Sequence, residues 1–434
     1  MLRLAFDSDL RTQVTGGSSA DRVSTTTNRK SQGAVPVADF TANSGISPNV
    51  SLLRKEWTLF VYMAADNDLE TYAPKDLAEI RKRYPQVAHF AHVVVLIDGA
   101  KAGKYPNGGK NKGWSSGTRL LLFEERKNSS GSIMRELSVD PNSSLGVLIA
   151  RGKGELATEQ GETLRAAVTY VMRNVPARRF FLDIWGHGRG WPGVVQDETS
   201  GKNKRMAPAT LGSALSDLPC PLDAVGFDAC FMGNLLIASA LARAGVPLMV
   251  GSEEEQEKTG WRYDQVLEMV SQRRRNEVSA QDIATSIVDT YTGATQASID
   301  LRRLPMLHSH LERMGAALLA AGGMKNKQVQ LALESVQRYS DDGAILADLG
   351  SFCDALKDNF KSSSPVALAA ARVKCWLKAN VYQRKPRDDV WDSHGLSVFL
   401  PDYGDRGMGS AFKRLAEHLQ EVSPHWVEFV TGGK

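Results

Sequence analysis

Residues 178–191 read RRFFLDIWGHGRGW, an apolar run of strand length that passes directly into a glycine-rich turn containing His187. A second stretch of the same kind, LDAVGFDAC at residues 222–230, ends at Cys230. Both runs are nearly continuous in apolar residues, which is typical of strands that are buried on both faces of a parallel sheet. These two strand ends therefore indicate both the fold class and the place where chemistry would occur.

Further apolar runs of strand length lie on both sides of this pair. They are WTLFVYM (57–63), AHVVVLID (91–98), TRLLLFEE (118–125) and VPLMVGS (246–252). Amphipathic stretches such as residues 162–175 lie between them. Buried strands that alternate with helices predict an α/β fold with a mainly parallel sheet flanked by helices.

Three regions are expected along the chain. Residues 1–50 are rich in Ser, Thr, Asn and Gly and are predicted to form a flexible leader. Residues 51–300 hold the α/β core. Residues 301–434 are predicted to be mostly helical and to return one strand, 395–401, to the core.

Composition and charge restrict the function classes. The chain has 434 residues, of which 42% are hydrophobic, and a net charge of +4, so neither nucleic acid nor a membrane is indicated as a partner. No apolar run approaches the ~20 residues of a membrane span. The apolar stretch among the first residues is too short to be the core of a signal peptide. A cytoplasmic location is predicted. The four cysteines form no CxxC pair, so free thiols and no metal site are expected.

His187 and Cys230 are the candidate catalytic pair. Ligands of open α/β sheets bind at the carboxyl ends of the strands, and neighbouring ends would bring these two side chains together. A helix predicted directly after Cys230 would favour its thiolate through the helix dipole. His187 would act as base and then as acid, while the N–H groups of Gly188 and Cys230 would stabilise an oxyanion.

Structural roles, phosphatase chemistry and nucleotide binding are the alternatives to this assignment. A single Cys before a helix is commonly a small core residue, and a single His in a glycine turn is commonly structural. Their joint placement at consecutive strand ends favours catalysis. A cysteine phosphatase would need an Arg about six residues after Cys230, where position 236 is Leu. No glycine-rich nucleotide motif follows a strand.

Several segments together resemble the clostripain family of cysteine peptidases, which are related to caspases, gingipains and legumains. The resemblance covers roughly residues 55–430, and its segments are WTLFVYMAADNDLE (57–70), WGHGRGW (185–191), GFDACFMG (226–233), GSEEEQEKTGW (251–261), LADLGSFCDAL (346–356) and GLSVFLP (395–401).

The resemblance implies a caspase-like sheet, catalytic His187 and Cys230, and an oxyanion contribution from Gly188. It also implies cleavage after Arg or Lys, with Asp228 at a position associated with the pocket for the basic residue. The alternative role of Asp228 is a cap on the following helix. The segment after Ser252 contains several glutamates, so the sequence does not identify the second carboxylate of this pocket.

The expected activity is endopeptidase cleavage of proteins or peptides through a thioester. A transpeptidase on the same fold and a catalytically silent binding relative are the alternatives. The sequence requires no cofactor and contains no EF-hand-like loop, although the resemblance brings in calcium as a cofactor of some relatives. An activating protease or a regulator is a further possible partner.

Self-processing is expected between the two catalytic segments. Residues 197–210, DETSGKNKRMAPAT, form a polar stretch that contains Lys202, Lys204 and Arg205. Exposed polar loops are preferred sites of nicking, and relatives of the clostripain type are processed in the same interval. An enzyme that cuts after basic residues is therefore expected to cut itself here.

Overall fold

The computed structural model describes residues 52–100, 117–126, 131–201, 204–273, 277–341, 344–384, 390–401 and 409–432. The predicted leader, residues 1–50, lies outside the described residues, as does Lys202. The described residues belong to one compact unit, and the proposed boundary at residue 300 stays a prediction.

The dense apolar runs of the sequence form strands. In chain order the strands are β1 (Lys55–Ala65), β2 (Ala91–Gly99), β3 (Gly117–Glu125), β4 (Ser132–Glu136), β5 (Ala177–Trp185), β6 (Val194–Gln196), β7 (Arg205–Met206), β8 (Ala224–Asp228), β9 (Leu248–Gly251), β10 (Gln296–Asp300), β11 (Arg338–Asp341), β12 (Ala344–Asp348), β13 (Val381–Arg384) and β14 (Ser397–Phe399).

Within the described residues, nine of these strands make one central sheet, in the order β13-β10-β9-β8-β5-β1-β2-β3-β4. The five strands from β9 to β2 run parallel, while β3 and β4 at one edge and β10 and β13 at the other pair antiparallel. The predicted mainly parallel α/β sheet is confirmed. Every residue of β2 and β8 is buried, which explains their continuous apolar sequences.

Helices cover both faces of this sheet. They are α1 (Ala73–Val87), α2 (Ser144–Arg151), α3 (Gly161–Asn174), α4 (Pro208–Ser216), α5 (Leu235–Arg243), α6 (Tyr263–Ser271), α7 (Ala280–Thr290), α8 (Leu304–Ala320), α9 (Lys327–Glu334), α10 (Leu349–Asn359), α11 (Pro365–Asn380), α12 (Gly409–Leu415), α13 (Glu417–Val422) and α14 (Pro424–Thr431), with short 3-10 turns at Asp68–Thr71, Leu301–Arg303 and Gly323–Lys325.

The two faces of the sheet bury separate sets of side chains. Trp57, Val61 and Met63 of β1 pack in one core with α1, α6 and α7. Phe60 and Tyr62, which point the other way, pack in a larger core with α3, α5 and the C-terminal helices. Side chains of a strand alternate between faces, so β1 supplies both cores.

The region after residue 300 is mostly helical and carries a second, smaller sheet. The strand expected at 395–401 is β14, which pairs with β12 in the three-stranded sheet β11-β12-β14 rather than with the central sheet. It reaches the core at the turn after Cys230, where the Ser397 N–H donates to the carbonyl of Gly233 over 2.9 Å. None of the described helices is both long and apolar enough to cross a membrane.

Candidate active site

His187 and Cys230 come from neighbouring strand ends. β5 and β8 pair in parallel with Trp185 opposite Asp228, so each candidate residue follows the end of its strand by two positions. Gly188 packs against the turn at Cys230, because a Cβ at Gly188 would lie 2.2 Å from the Cys230 carbonyl oxygen. Only glycine allows the two turns to approach this closely.

Both side chains face one open cleft of about 290 Å³. Its lining residues are Asp68, His187, Gly188, Arg189, Gln196, Arg205, Cys230, Phe231 and Glu255. Three of the predicted site residues, His187, Gly188 and Cys230, therefore meet in a single cleft. Among the predicted processing residues, Arg205 also lines it.

The imidazole of His187 is held by a carboxylate that sequence analysis missed. Nε2 of His187 lies 2.7 Å from Oδ1 of Asp68. Asp68 begins a short 3-10 turn after β1, and Asn67 caps that turn by accepting from the Leu69 N–H. With Nε2 facing a carboxylate, Nδ1 is the nitrogen left for proton exchange with a thiol. β1 neighbours β5 in the sheet, so the turn after β1 lies near the turn that carries His187. This adjacency is the signal that could have indicated Asp68.

Cys230 does not stand at a helix N-terminus, which corrects the expected dipole effect. Helix α5 begins at Leu235, and its cap is Asn234, whose side chain accepts from the N–H groups of Leu236 and Ile237. Between Cys230 and this cap the chain turns through Phe231 with φ of 62°. The positive end of the helix dipole acts within the first turn, so Asn234 receives it rather than Cys230.

Segment 252–256 supplies the hydrogen bond that the thiol does receive. The backbone N–H of Gln256 donates to Sγ of Cys230 over 3.3 Å. A thiolate would keep this hydrogen bond, whereas the 4.0 Å contact from Sγ to the Gln256 carbonyl oxygen needs the thiol proton. Cys230 is half-buried and is one of the residues that line the cleft.

The amide of Gly188 is left out of the local strand pairing. The bridge between Gly188 and Val194 is formed by the flanking amides, with the Val195 N–H donating to His187 and the Arg189 N–H donating to Gly193. The N–H of the buried Gly188 therefore takes no part in this strand pairing, and Gly188 lies beside Cys230. An N–H group in this position can donate to an oxyanion.

Asp228 lies behind the cleft rather than in its lining. Its Oδ2 accepts from the Trp261 N–H over 3.0 Å and lies 3.1 Å from the Tyr263 hydroxyl. That hydroxyl is also 2.6 Å from Oδ2 of Asp183. Burial raises the pKa of both carboxyl groups, and the charge of Asp228 raises that of Asp183 further. Contrary to the alternative interpretation, Asp228 does not cap helix α5, since Asn234 does so.

The backbone encloses Asp228 closely. Gly260 has φ of 60°, and a Cβ there would lie 2.6 Å from Oδ2 of Asp228. The Gln256 amide, in the orientation assigned from its hydrogen-bond partners, donates to Oδ1 of Asp228 over 2.5 Å. Gln256 thus joins the candidate pocket carboxylate to the candidate nucleophile.

The predicted processing stretch is partly ordered into a strand. Arg205 and Met206 form β7, which pairs with β6, and Met206 is buried. The Arg205 guanidinium donates from Nη2 to Oε1 of Gln196 over 2.7 Å. Lys204, directly before this strand, is exposed. Of the described basic residues, Lys204 therefore fits the expectation of an exposed loop better than Arg205 does.

Two comparisons concern the amino-acid sequence of the chain. The model of the clostripain family matches residues 61–384. No curated protein sequence matches the chain significantly.

Solved structures share the fold at low sequence identity. A secreted C11 cysteine protease from Bacteroides thetaiotaomicron, solved with an irreversible peptide inhibitor, superposes with a TM-score of 0.61 at 17% identity, covering 85% of this chain and 98% of the other. An inactive zymogen C11 protease from Parabacteroides distasonis gives 0.59 at 18% identity, with 87% and 99% covered. The caspase-like α/β architecture expected from the sequence is confirmed.

Proposed function

The chain belongs to the clostripain family of cysteine peptidases, and we propose that it cleaves peptide bonds after Arg or Lys with Cys230 as nucleophile and His187 as base. The observation that carries this proposal is the convergence of His187 and Cys230 on one cleft, with Asp68 holding the far nitrogen of the imidazole. A nucleophile, a base and an orienting group in one cleft are the parts that acyl transfer needs.

The steps follow from this arrangement. His187 accepts the proton of Sγ through Nδ1, and the thiolate attacks the substrate carbonyl carbon. The negative charge that develops on the carbonyl oxygen is met by the N–H groups of Gly188 and Cys230. His187 then protonates the leaving amine, a thioester remains on Cys230, and water activated by His187 hydrolyses it.

Two carboxylates support a preference for basic residues. Glu255 is exposed and lines the cleft beside Cys230, so a substrate guanidinium or ammonium in the cleft would meet it directly. Asp228 lies buried behind the cleft. We assign Glu255 as the second pocket carboxylate, with Asp228 as the buried carboxyl group that a deeper basic side chain would approach.

Self-processing between the His187 and Cys230 segments is part of the proposal. Lys204 is exposed directly before β7, and Arg205 already lines the cleft. A cut on this stretch would separate β5 from β8, which are hydrogen-bonded neighbours in one sheet. The two fragments would therefore stay associated.

The test is a set of fluorogenic peptides that differ only in the residue before the cut, with Arg, Lys, Leu or Asp there. Wild type is expected to favour Arg and Lys by at least about 30-fold, because the loss of a buried charge partner costs about 2–5 kcal/mol. Cys230→Ala and His187→Ala should be inactive, while Cys220→Ala, a matched cysteine control, should retain activity. Substantial turnover by folded Cys230→Ala would refute the assignment.

No metal is required by this mechanism. Activity is expected to persist in EDTA, and the assay should include that arm. Loss of activity that added calcium restores would contradict this part of the proposal.

A further inference from the structure

Segment 252–256 braces the turn that carries Cys230. The N–H groups of Phe231 and Gly233 donate to backbone carbonyls of this segment over 3.2 and 2.7 Å. In the opposite direction, the Gln256 N–H of this segment donates to Sγ of Cys230 over 3.3 Å. The position of the thiol in the cleft therefore depends on where this segment is held.

Glu253 anchors the segment to the C-terminal region. Its side chain is only 1% exposed, and its Oε2 accepts from the Gly395 N–H over 2.7 Å. Its backbone N–H donates to the Thr295 hydroxyl over 3.0 Å. The Glu253 carboxyl also contacts the side chain of Asp348, at the end of β12.

Asp348 is the member of this pair whose carboxyl group is better supplied with hydrogen-bond donors. It is fully buried, and it accepts from the backbone N–H groups of Ser351 and His394, each over 2.5 Å. Nδ1 of His394 lies 2.8 Å from its Oδ1. The Asp348 carboxyl group thus accepts three hydrogen bonds, and any donor in its contact with Glu253 has to come from Glu253.

Glu253 is the protonated member. Its Oε1 accepts no hydrogen bond from a described residue, although the Tyr339 hydroxyl also approaches the Glu253 carboxyl group. A proton on Glu253 lets it donate to Asp348 and satisfies that atom. Burial and the neighbouring charge of Asp348 raise the pKa of Glu253 well above its usual range, which agrees with this assignment.

The chain of contacts from Glu253 through Asp348 and His394 leads to Lys374 and not to a metal site. Donor atoms of Asp354, Asp392 and His394 lie within 4.8 Å of one another, a grouping that could hold a cation. However, the Lys374 ammonium lies 2.7 Å from Nε2 of His394 and also contacts Asp354. The lysine thus already supplies the positive charge that this group of ligands would attract.

We propose that Glu253 is a positioning residue for the nucleophile, which, through a carboxyl–carboxylate hydrogen bond to Asp348, holds segment 252–256 so that the Gln256 N–H stays at Sγ of Cys230. The proposal rests on the assignment of Cys230 as nucleophile. Glu253 touches neither substrate nor thiol, and its effect passes through the backbone between positions 253 and 256.

The experiment compares Glu253→Gln with Glu253→Leu in the full-length protein. Glutamine keeps an acceptor for Gly395 and a donor for Asp348, so turnover should stay within about 3-fold of wild type. Leucine has a similar volume but offers neither, and a displaced nucleophile should lower kcat about 10- to 100-fold with little change in KM. Thermal unfolding of each variant shows whether it is folded.

Two further readouts separate positioning from general damage. The rate of Cys230 alkylation by iodoacetamide should fall with kcat in Glu253→Leu, while alkylation of the exposed Cys375 in the same molecule should not change. If the leucine variant does not fold, Glu253→Asp replaces it in the test. Aspartate keeps the carboxyl group but places it one methylene further from Asp348, so kcat should fall about 10-fold.

The outcomes decide the proposal separately from the assigned activity. Folded Glu253→Leu or Glu253→Asp with wild-type kcat and Cys230 alkylation would overturn it, and so would a glutamine variant as impaired as the leucine variant. Turnover by Cys230→Ala in the same assay would instead overturn the assignment of the nucleophile.

Discussion

Nε2 of His187 lies 2.7 Å from Oδ1 of Asp68, a carboxylate from the turn after a different strand. The pair is only partly shielded, since the side chain of Asp68 is 65% exposed. A carboxylate on one imidazole nitrogen orients the ring and directs the other nitrogen to the nucleophile. Because solvent screens this contact, its effect on catalysis should be smaller than that of a buried triad carboxylate.

Asp68→Asn is therefore expected to lower kcat/KM about 10-fold, because the amide holds the ring less firmly and does not stabilise the imidazolium. The measurement is peptide turnover at several salt concentrations. Asp217→Asn is the matched control, since Asp217 is an exposed carboxylate paired with Arg165 outside the cleft. Equal kcat/KM in wild type and Asp68→Asn would show that the contact has no catalytic role.

Iodoacetamide should label Cys230 ahead of the other cysteines. The Gln256 N–H favours its thiolate, whereas burial raises the pKa of Cys353 and of Cys220. Cys375 is exposed and should react second. Peptide mapping after timed labelling measures the order, and labelling of Cys375 before Cys230 would argue against an activated thiol.

Asp228→Asn and Glu255→Gln should separate the two pocket carboxylates. Glu255→Gln is expected to lower kcat/KM for Arg and Lys peptides with no change in thermal stability, because Glu255 is exposed. Asp228→Asn should lower kcat/KM for the same peptides more strongly, because solvent and salt screen an interaction with a buried carboxyl group less. Turnover on Arg, Lys and Leu peptides is the measurement.

A uniform loss on all peptides, together with a lower melting temperature, would show that Asp228 acts only through its hydrogen bonds to Trp261 and Tyr263.

Self-cleavage should occur after Lys202 or Lys204 before it occurs after Arg205. The bond after Arg205 lies inside β7 and leads to buried Met206, so cutting it requires the strand pair to open. N-terminal sequencing of stored wild type and Cys230→Ala should find new termini at Asn203 or Arg205 in wild type alone. An intact wild-type chain with full peptidase activity would show that the enzyme does not need processing to be active.

His308 should make the protein less stable in acid. It is buried where α5, α8 and α13 meet, with Nε2 3.0 Å from the Ser239 hydroxyl, and burial lowers its pKa from 6.5 to about 4. Between these values the unfolded chain binds the proton and the folded protein does not. Stability should therefore fall by about 1.4 kcal/mol for each pH unit on acidification through that interval.

His308→Gln should remove this contribution, since it does not titrate. Urea unfolding of both proteins from pH 7 to pH 4.5 provides the comparison, in which contributions from other groups such as His92 cancel. Parallel stability curves for the two proteins would contradict the prediction.

Much of the site could be anticipated from local sequence. The runs ending at His187 and Cys230 are long, apolar and followed by turns, so their strands and the shared edge followed from pattern alone. The start of the helix after Cys230 was predicted wrongly, since the chain first turns at Phe231 and Asn234 provides the cap. Boundaries of this kind depend on which competing cap the folded chain selects.

The sequence by itself determined that two strand ends carry a histidine and a cysteine between glycines, because strand formation and turn chemistry are local properties of the chain. Only the tertiary structure decided which groups surround that pair. Asp68 reaches His187 because β1 lies beside β5, and Glu253 meets Asp348 because β14 and β12 return to the turn after Cys230. Such contacts join residues far apart in the chain, and only the packing of the sheets brings them within hydrogen-bond distance.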